Sequence, residues 1–71
     1  MSQDSKALIA KNLRLKRLEC GFKQEELSLI VGRDNSYISK LENARMNATI
    51  NKLDCIATAL NIKTKDLFED I

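Results

Sequence analysis

The stretch Phe22–Asn47, FKQEELSLIVGRDNSYISKLENARMN, decides how this chain folds. It reads as a helix, a sharp turn and a second helix, over about residues 23–43. The turn falls at Val31-Gly32-Arg33-Asp34, where Gly32 can take the positive φ that a reversal needs and Asp34 is suited to N-cap the second helix. Before it, Gln24-Glu25-Glu26 sets acids in a first helical turn, where the helix dipole favours them. Leu27 and Val31 share one face, and Ile38 and Leu41 are spaced to meet them. Asn35, Ser36, Ser39 and Lys40 are left on the far side of the second helix, all hydrogen-bonding types and none acidic. A short helix docked against a second one is how a small domain holds side chains in the DNA major groove. That polar face is the candidate functional surface.

Working outward, the pattern is helical throughout. The chain has no proline and two glycines among 71 residues, which favours an all-α single domain over residues 1–71. The first helix runs from about Ser5 to Cys20 and ends at Gly21, a natural residue for a helix C-terminus, after a loose arm at Met1–Asp4. The second covers about Gln24–Val31 and the third about Asn35–Asn43, with Asp34 as its cap. Thr49 caps a fourth helix over about Ile50–Leu60, whose apolar stripe is Ile50, Leu53, Ile56, Ala57 and Leu60. Thr64 caps a short fifth helix holding Leu67 and Phe68.

Composition narrows the function. Residues 1–50 carry nine Lys/Arg against six Asp/Glu, and residues 51–71 three against four, so the positive charge lies on the helix-turn-helix side. With no histidine and no CxxC pair a zinc site lacks its usual donors, and no cofactor is indicated. Cys20 and Cys55 read as reduced core residues of a cytoplasmic protein. No apolar run suggests a signal peptide or a membrane span. No Gly-rich phosphate loop and no nucleophile–base arrangement supports an enzyme.

Residues 22–47 resemble, without gaps, the phage-repressor (Cro/CI or XRE) type of helix-turn-helix. The matching residues are Gln24-Glu25-Glu26-Leu27, Gly32, Ser36-Tyr37-Ile38-Ser39-Lys40 and Leu41-Glu42. Arg17 and the tail Ile56-Ala57-x-Ala59-Leu60-Asn61-Ile62 with Asp66-Leu67-Phe68 extend the likeness to roughly residues 9–68. The resemblance implies the five-helix lambda-repressor-like fold. Among members of this size it points to controller proteins of restriction–modification systems and to compact phage or plasmid repressors.

The resemblance also assigns roles. Asn35, Ser36, Ser39 and Lys40 take its base-reading positions, where lysine suits guanine O6/N7 and asparagine adenine N6/N7. Gln24 stands where the family braces a phosphate at the start of the second helix. Arg33, Asn43, Arg45 and Asn47 are expected on the DNA backbone. Tyr37 either lies along that backbone, as its family position implies, or packs against the second helix. Arg17 and Glu42 are expected as an ion pair that fixes the third helix. Ala44 stands where the family has glycine, so either alanine takes φ > 0 or Asn43 does.

The expected function is a sequence-specific, non-enzymatic transcription regulator on double-stranded operator DNA, blocking or recruiting RNA polymerase, with no small-molecule effector. The controller role is the leading form, with a phage or plasmid repressor or an antitoxin-type autorepressor as the alternative. Pairing is expected through the end at about residues 50–71, using Ile50, Leu53, Leu67, Phe68 and Ile71 to form a homodimer on a pseudo-palindromic operator. Leu8, Leu15, Leu29 and Ile30 exceed what one buried face needs. They read as a greasy surface, as wider internal packing or as contact with a second chain, which keeps a protein-interaction module on the same fold as a rival.

Overall fold

A computed structural model of the chain describes residues 5–69; the expected arm at Met1–Asp4 and the expected interface residue Ile71 lie outside them. Four α-helices follow one another: α1 (Ser5–Cys20), α2 (Gln24–Ile30), α3 (Tyr37–Glu42) and α4 (Ile50–Ala59). The expected fifth helix is a 3-10 helix over Thr64–Phe68, so the fold has four α-helices rather than five.

One core joins all of them. Leu13 of α1, Leu27 and Val31 of the α2 side, Tyr37, Ile38 and Leu41 of α3, Leu53, Ile56, Ala57 and Leu60 of the α4 side, and Leu67 pack together. Leu27 and Val31 therefore meet Ile38 and Leu41, as their spacing requires. Ile50 does not join them and is 60% exposed. It shares the stripe of Leu53 and Ala57 but lies a turn beyond the first α4 residue that is buried.

Both cysteines are free and exposed, against the expectation of core positions. Cys55 follows Leu53 by two residues, about 200° around a helix, which carries it off the apolar stripe. Cys20 ends α1, and its thiol donates to the Leu60 carbonyl at 3.4 Å.

The four helix ends close alike. After each, the residue in the left-handed conformation donates to a carbonyl three residues back, and the next residue donates five back. At α1 these are Gly21 to Leu18 (3.1 Å) and Phe22 to Arg17 (3.2 Å); at α2, Gly32 to Leu29 (3.0 Å) and Arg33 to Ser28 (3.0 Å). At α3 they are Ala44 to Leu41 (3.1 Å) and Arg45 to Lys40 (3.0 Å); at α4, Asn61 to Thr58 (3.1 Å) and Ile62 to Ala57 (2.9 Å). Gly32 at φ 77° turns the chain between α2 and α3 as expected. Ala44 sits at φ 57° while Asn43 stays at φ −91°, so alanine, not asparagine, takes the strained position at the end of α3. Left-handed backbone costs an ordinary L-residue about 1–2 kcal/mol.

Helix starts differ more from expectation. Thr49 caps α4 as expected, its side chain accepting from Lys52 N–H at 3.1 Å. Thr64 caps nothing. It is the first residue of the 3-10 helix, its hydroxyl donates to Asp54, and the Asp66 carboxylate instead accepts from Lys63 N–H at 3.1 Å. Among the described residues no helix is long and apolar enough to cross a membrane.

Candidate nucleic-acid interface

The start of α3 governs the polar face. Its α-helical ladder begins at Tyr37 rather than at Asn35. Asn35 and Ser36 form a tighter first turn, closed by Tyr37 N–H on the Asp34 carbonyl at 3.2 Å. The Asp34 carboxylate accepts from the backbone N–H of Ser36 at 3.1 Å and from its hydroxyl at 2.9 Å. Asp34 therefore does not N-cap α3 as expected: the cap position is Ser36, which makes no side-chain cap bond, and the Asp34 carboxylate instead braces the turn ahead of it, two residues on. The Ser36 hydroxyl, and after it the Ser36 backbone N–H, hold this carboxyl below its ordinary value of 3.8.

Across that turn and α3, Lys40 and Asn35 are exposed and Ser36 and Ser39 half-buried, while Ile38 and Leu41 face the core. All four expected base-reading residues therefore lie within one short segment. Asn43 and Arg45 are exposed at the end of α3, and Asn47 in the loop after it. The Asn43 amide reaches the Ser39 hydroxyl at 3.5 Å, the limit of a hydrogen bond.

Two of the expected backbone residues are otherwise engaged. Tyr37 belongs to the core at 5% exposure, which is the packing alternative left open above. Burial pushes its phenol above the usual 10.0, against the Arg33 guanidinium, which stacks on the ring 4.7 Å from its centroid. Gln24 opens α2 as expected, but its side-chain amide donates to Glu42 at 2.9 Å. An anion at this helix start would therefore meet backbone N–H groups first.

The Arg17–Glu42 pair is present and two-pronged. Nε reaches Glu42 Oε2 at 2.6 Å and Nη2 reaches Oε1 at 3.1 Å, with the side chains 9% and 3% exposed. Arg17 Nη1 also donates to the Phe22 carbonyl at 2.7 Å. One side chain thus ties α1 to the end of α3 and to the turn before α2.

Three further positioning residues escaped the sequence reading. Ser28, fully buried, donates to the Gln24 carbonyl at 2.8 Å and accepts from Ile38 N–H at 2.9 Å. It joins α2 to the first turn of α3, where backbone N–H groups lack helical partners. Lys52 of α4 donates to the Val31 carbonyl at the end of α2, at 3.0 Å. Asn12, fully buried in α1, donates to the carbonyls of Leu67 (2.9 Å) and Glu69 (2.8 Å). Their residue types alone do not separate them from surface polar residues.

The expected pairing surface is only partly available. Leu53 and Leu67 are 1% and 0% exposed and are core residues of the protomer, whereas Phe68 and Ile50 are 40% and 60% exposed. Leu15, Leu29 and Ile30 are 41–64% exposed, which removes wider internal packing as their explanation, whereas Leu8 is half-buried.

A polar face on a short helix, braced by a buried ion pair and docked through a glycine turn, defines a helix-turn-helix domain. Residues 13–67 match the helix-turn-helix family, and the chain belongs to it, in its phage-repressor (XRE) type. It is 37% identical over 65 residues to a Neisseria hypothetical transcription factor from Neisseria meningitidis, covering 92% of this chain and 61% of that relative. It is 34% identical over 64 residues to control protein C.SmaI of Serratia marcescens, covering 90% of this chain and 76% of that protein. The crystal structure of the restriction–modification controller protein C.AhdI from Aeromonas hydrophila superposes with a TM-score of 0.83 at 32% identity, over 89% of this chain and 91% of that one.

Proposed function

We propose that this chain is a sequence-specific DNA-binding transcription regulator that sets α3 in the major groove. The observation that carries the reading is the grouping of exposed Asn35 and Lys40 with half-buried Ser36 and Ser39 in one short segment anchored by Arg17–Glu42. Lys40 and Asn35 read base edges, and the two serines allow close approach. Arg33, Asn43, Arg45 and Asn47 hold the phosphates on either side, with the N–H groups at the start of α2. Regulation follows from occupancy of the operator. The likeness to proteins named as controllers supports a controller role in a restriction–modification system.

The test is selection of binding sites from a randomised duplex pool with native protein and Lys40→Ala. Enrichment of one motif, relaxed at one position per half-site in the variant, is expected. A native protein that enriches nothing at moderate salt rules the reading out.

We further propose that it acts as a two-fold dimer on a pseudo-palindromic site. What supports this is the exposed apolar set Ile50 and Phe68, with Leu29 and Ile30 on α2, which water covers poorly in a lone protomer. Sedimentation equilibrium is expected to show a dimer in the micromolar range without DNA. A monomer at those concentrations removes this part and leaves the first intact.

A further inference from the structure

A second cationic wall stands beside the α3 face. α1 and the end of α3 bound a shallow groove whose lining includes Lys11, Arg14, Leu15, Glu42, Asn43 and Ala44. Lys11 and Arg14 are exposed on successive turns of α1. Lys16 of the same helix is tied to Glu19 at 3.7 Å, whereas among the described residues neither Lys11 nor Arg14 makes an ion pair. Glu42 is the one acid of this lining, and both its oxygens are taken by Arg17 and Gln24. The free charge along the groove is therefore positive. Its α3 lip runs from Asn43 straight into Arg45, so it continues the proposed DNA-facing surface.

We propose that Lys11 and Arg14 of α1 hold the phosphate backbone flanking the bases that α3 reads. The strand runs between α1 and the segment after α3. Side chains three apart on a helix stand about 5–6 Å apart at Cβ, so their flexible stems reach neighbouring phosphates of one strand. Contacts of this kind add affinity and register without sequence preference. The inference rests on the DNA-binding reading above and adds a helix that it did not use.

The experiment compares native protein, Lys11→Ala/Arg14→Ala and Lys63→Ala/Lys65→Ala by fluorescence anisotropy. Each is titrated on a selected duplex and on an unrelated one, between about 50 and 200 mM salt. The second variant removes the same charge from the region of the 3-10 helix, which packs on α1 and α4. All four side chains are exposed, so native melting curves are expected throughout. Lys11→Ala/Arg14→Ala should flatten the slope of log K against log salt by about 1.8 per protomer. It should weaken both duplexes by a similar factor, roughly tenfold at low salt, with the site preference kept. The distal variant should keep the native slope. Equal flattening by both double variants, or none from Lys11→Ala/Arg14→Ala, overturns the inference while native site preference keeps the DNA reading. A native protein that binds neither duplex overturns both.

Discussion

The middle and the C-terminal end of α1 are each fastened to a distant part of the chain by one side chain, with different chemistry. Arg17 reaches a residue 25 positions away, uses Nε and both terminal nitrogens, and meets a carboxylate that Gln24 also holds. Asn12 reaches 55 positions away with one amide nitrogen shared between two carbonyls, and its Oδ1 has no partner. The first fastening is charged and reinforced; the second is neutral and leaves a buried acceptor unmet. The difference follows what each one holds. Arg17 fixes the angle of the helix that carries the proposed base-reading face, where a small error misplaces every contact. Asn12 fixes a terminal segment that need only stay docked over the core.

Breaking the stronger fastening should have the largest effect. Arg17→Ala leaves a nearly buried carboxylate with one neutral donor, and removing one member of a buried pair costs about 3–5 kcal/mol. A domain of this size has roughly 4–10 kcal/mol in total. Urea denaturation should therefore find this variant largely unfolded or close to it. A loss below about 1 kcal/mol would show that the pair behaves as a surface ion pair.

Asn12→Ala should come next, at about 2–3 kcal/mol, since the Leu67 carbonyl loses a buried donor and a small cavity is left. The contrast sharpens in where the damage falls. Carboxypeptidase should trim the Asn12→Ala chain faster than the native one, while a destabilised Arg17 variant should loosen as a whole. Uniform loosening in both would mean that Asn12 supports the core at large.

Ser28→Ala probes the link between α2 and α3 directly. The Ile38 N–H then loses its acceptor inside the core, and about 1–2 kcal/mol should be lost in the same denaturation assay. Ser28→Thr keeps the hydroxyl but adds a methyl group at a position with no exposure, so it is expected to recover only part of the loss.

These fastenings also explain what was legible in the sequence. The helix-turn-helix could be read from Gly32 and the spacing of Leu27, Val31, Ile38 and Leu41, because apolar period and turn chemistry are local. Arg17–Glu42 was legible through resemblance, because both partners are side chains and each leaves a letter. Asn12, Ser28 and Lys52 act on backbone groups, which every residue has, so only one partner is visible and its target is not. Cys55 departs from expectation for a local reason, since an apolar residue beside a stripe looks in sequence like part of it. Leu67 leaves the expected pairing surface for a global one. A 3-10 helix folded back on α1 and α4 buries its own apolar residue, leaving Phe68 outside. Gln24 was placed on its helix correctly, but the carboxylate that takes up its amide lies across a tertiary contact.

The smallest effect expected is a gain, and it returns to the end of α3. Four helices finish with the same pair of hydrogen bonds, and the left-handed residue is Gly21, Gly32, Asn61 or Ala44. Glycine meets no steric penalty there and asparagine a small one, so α3 is closed at the greatest cost. Ala44→Gly relieves about 1–2 kcal/mol of strain but loosens the unfolded chain by about 0.4–1 kcal/mol. The net should be a gain of up to about 1 kcal/mol, raising Tm by a few degrees. Asn43 and Arg45 flank this residue, so a better-closed end should also hold their proposed phosphate contacts at least as well as the native one does. A Tm that falls would mean that the Ala44 methyl group, half-buried in the groove beside α1, contributes more by packing than its backbone costs.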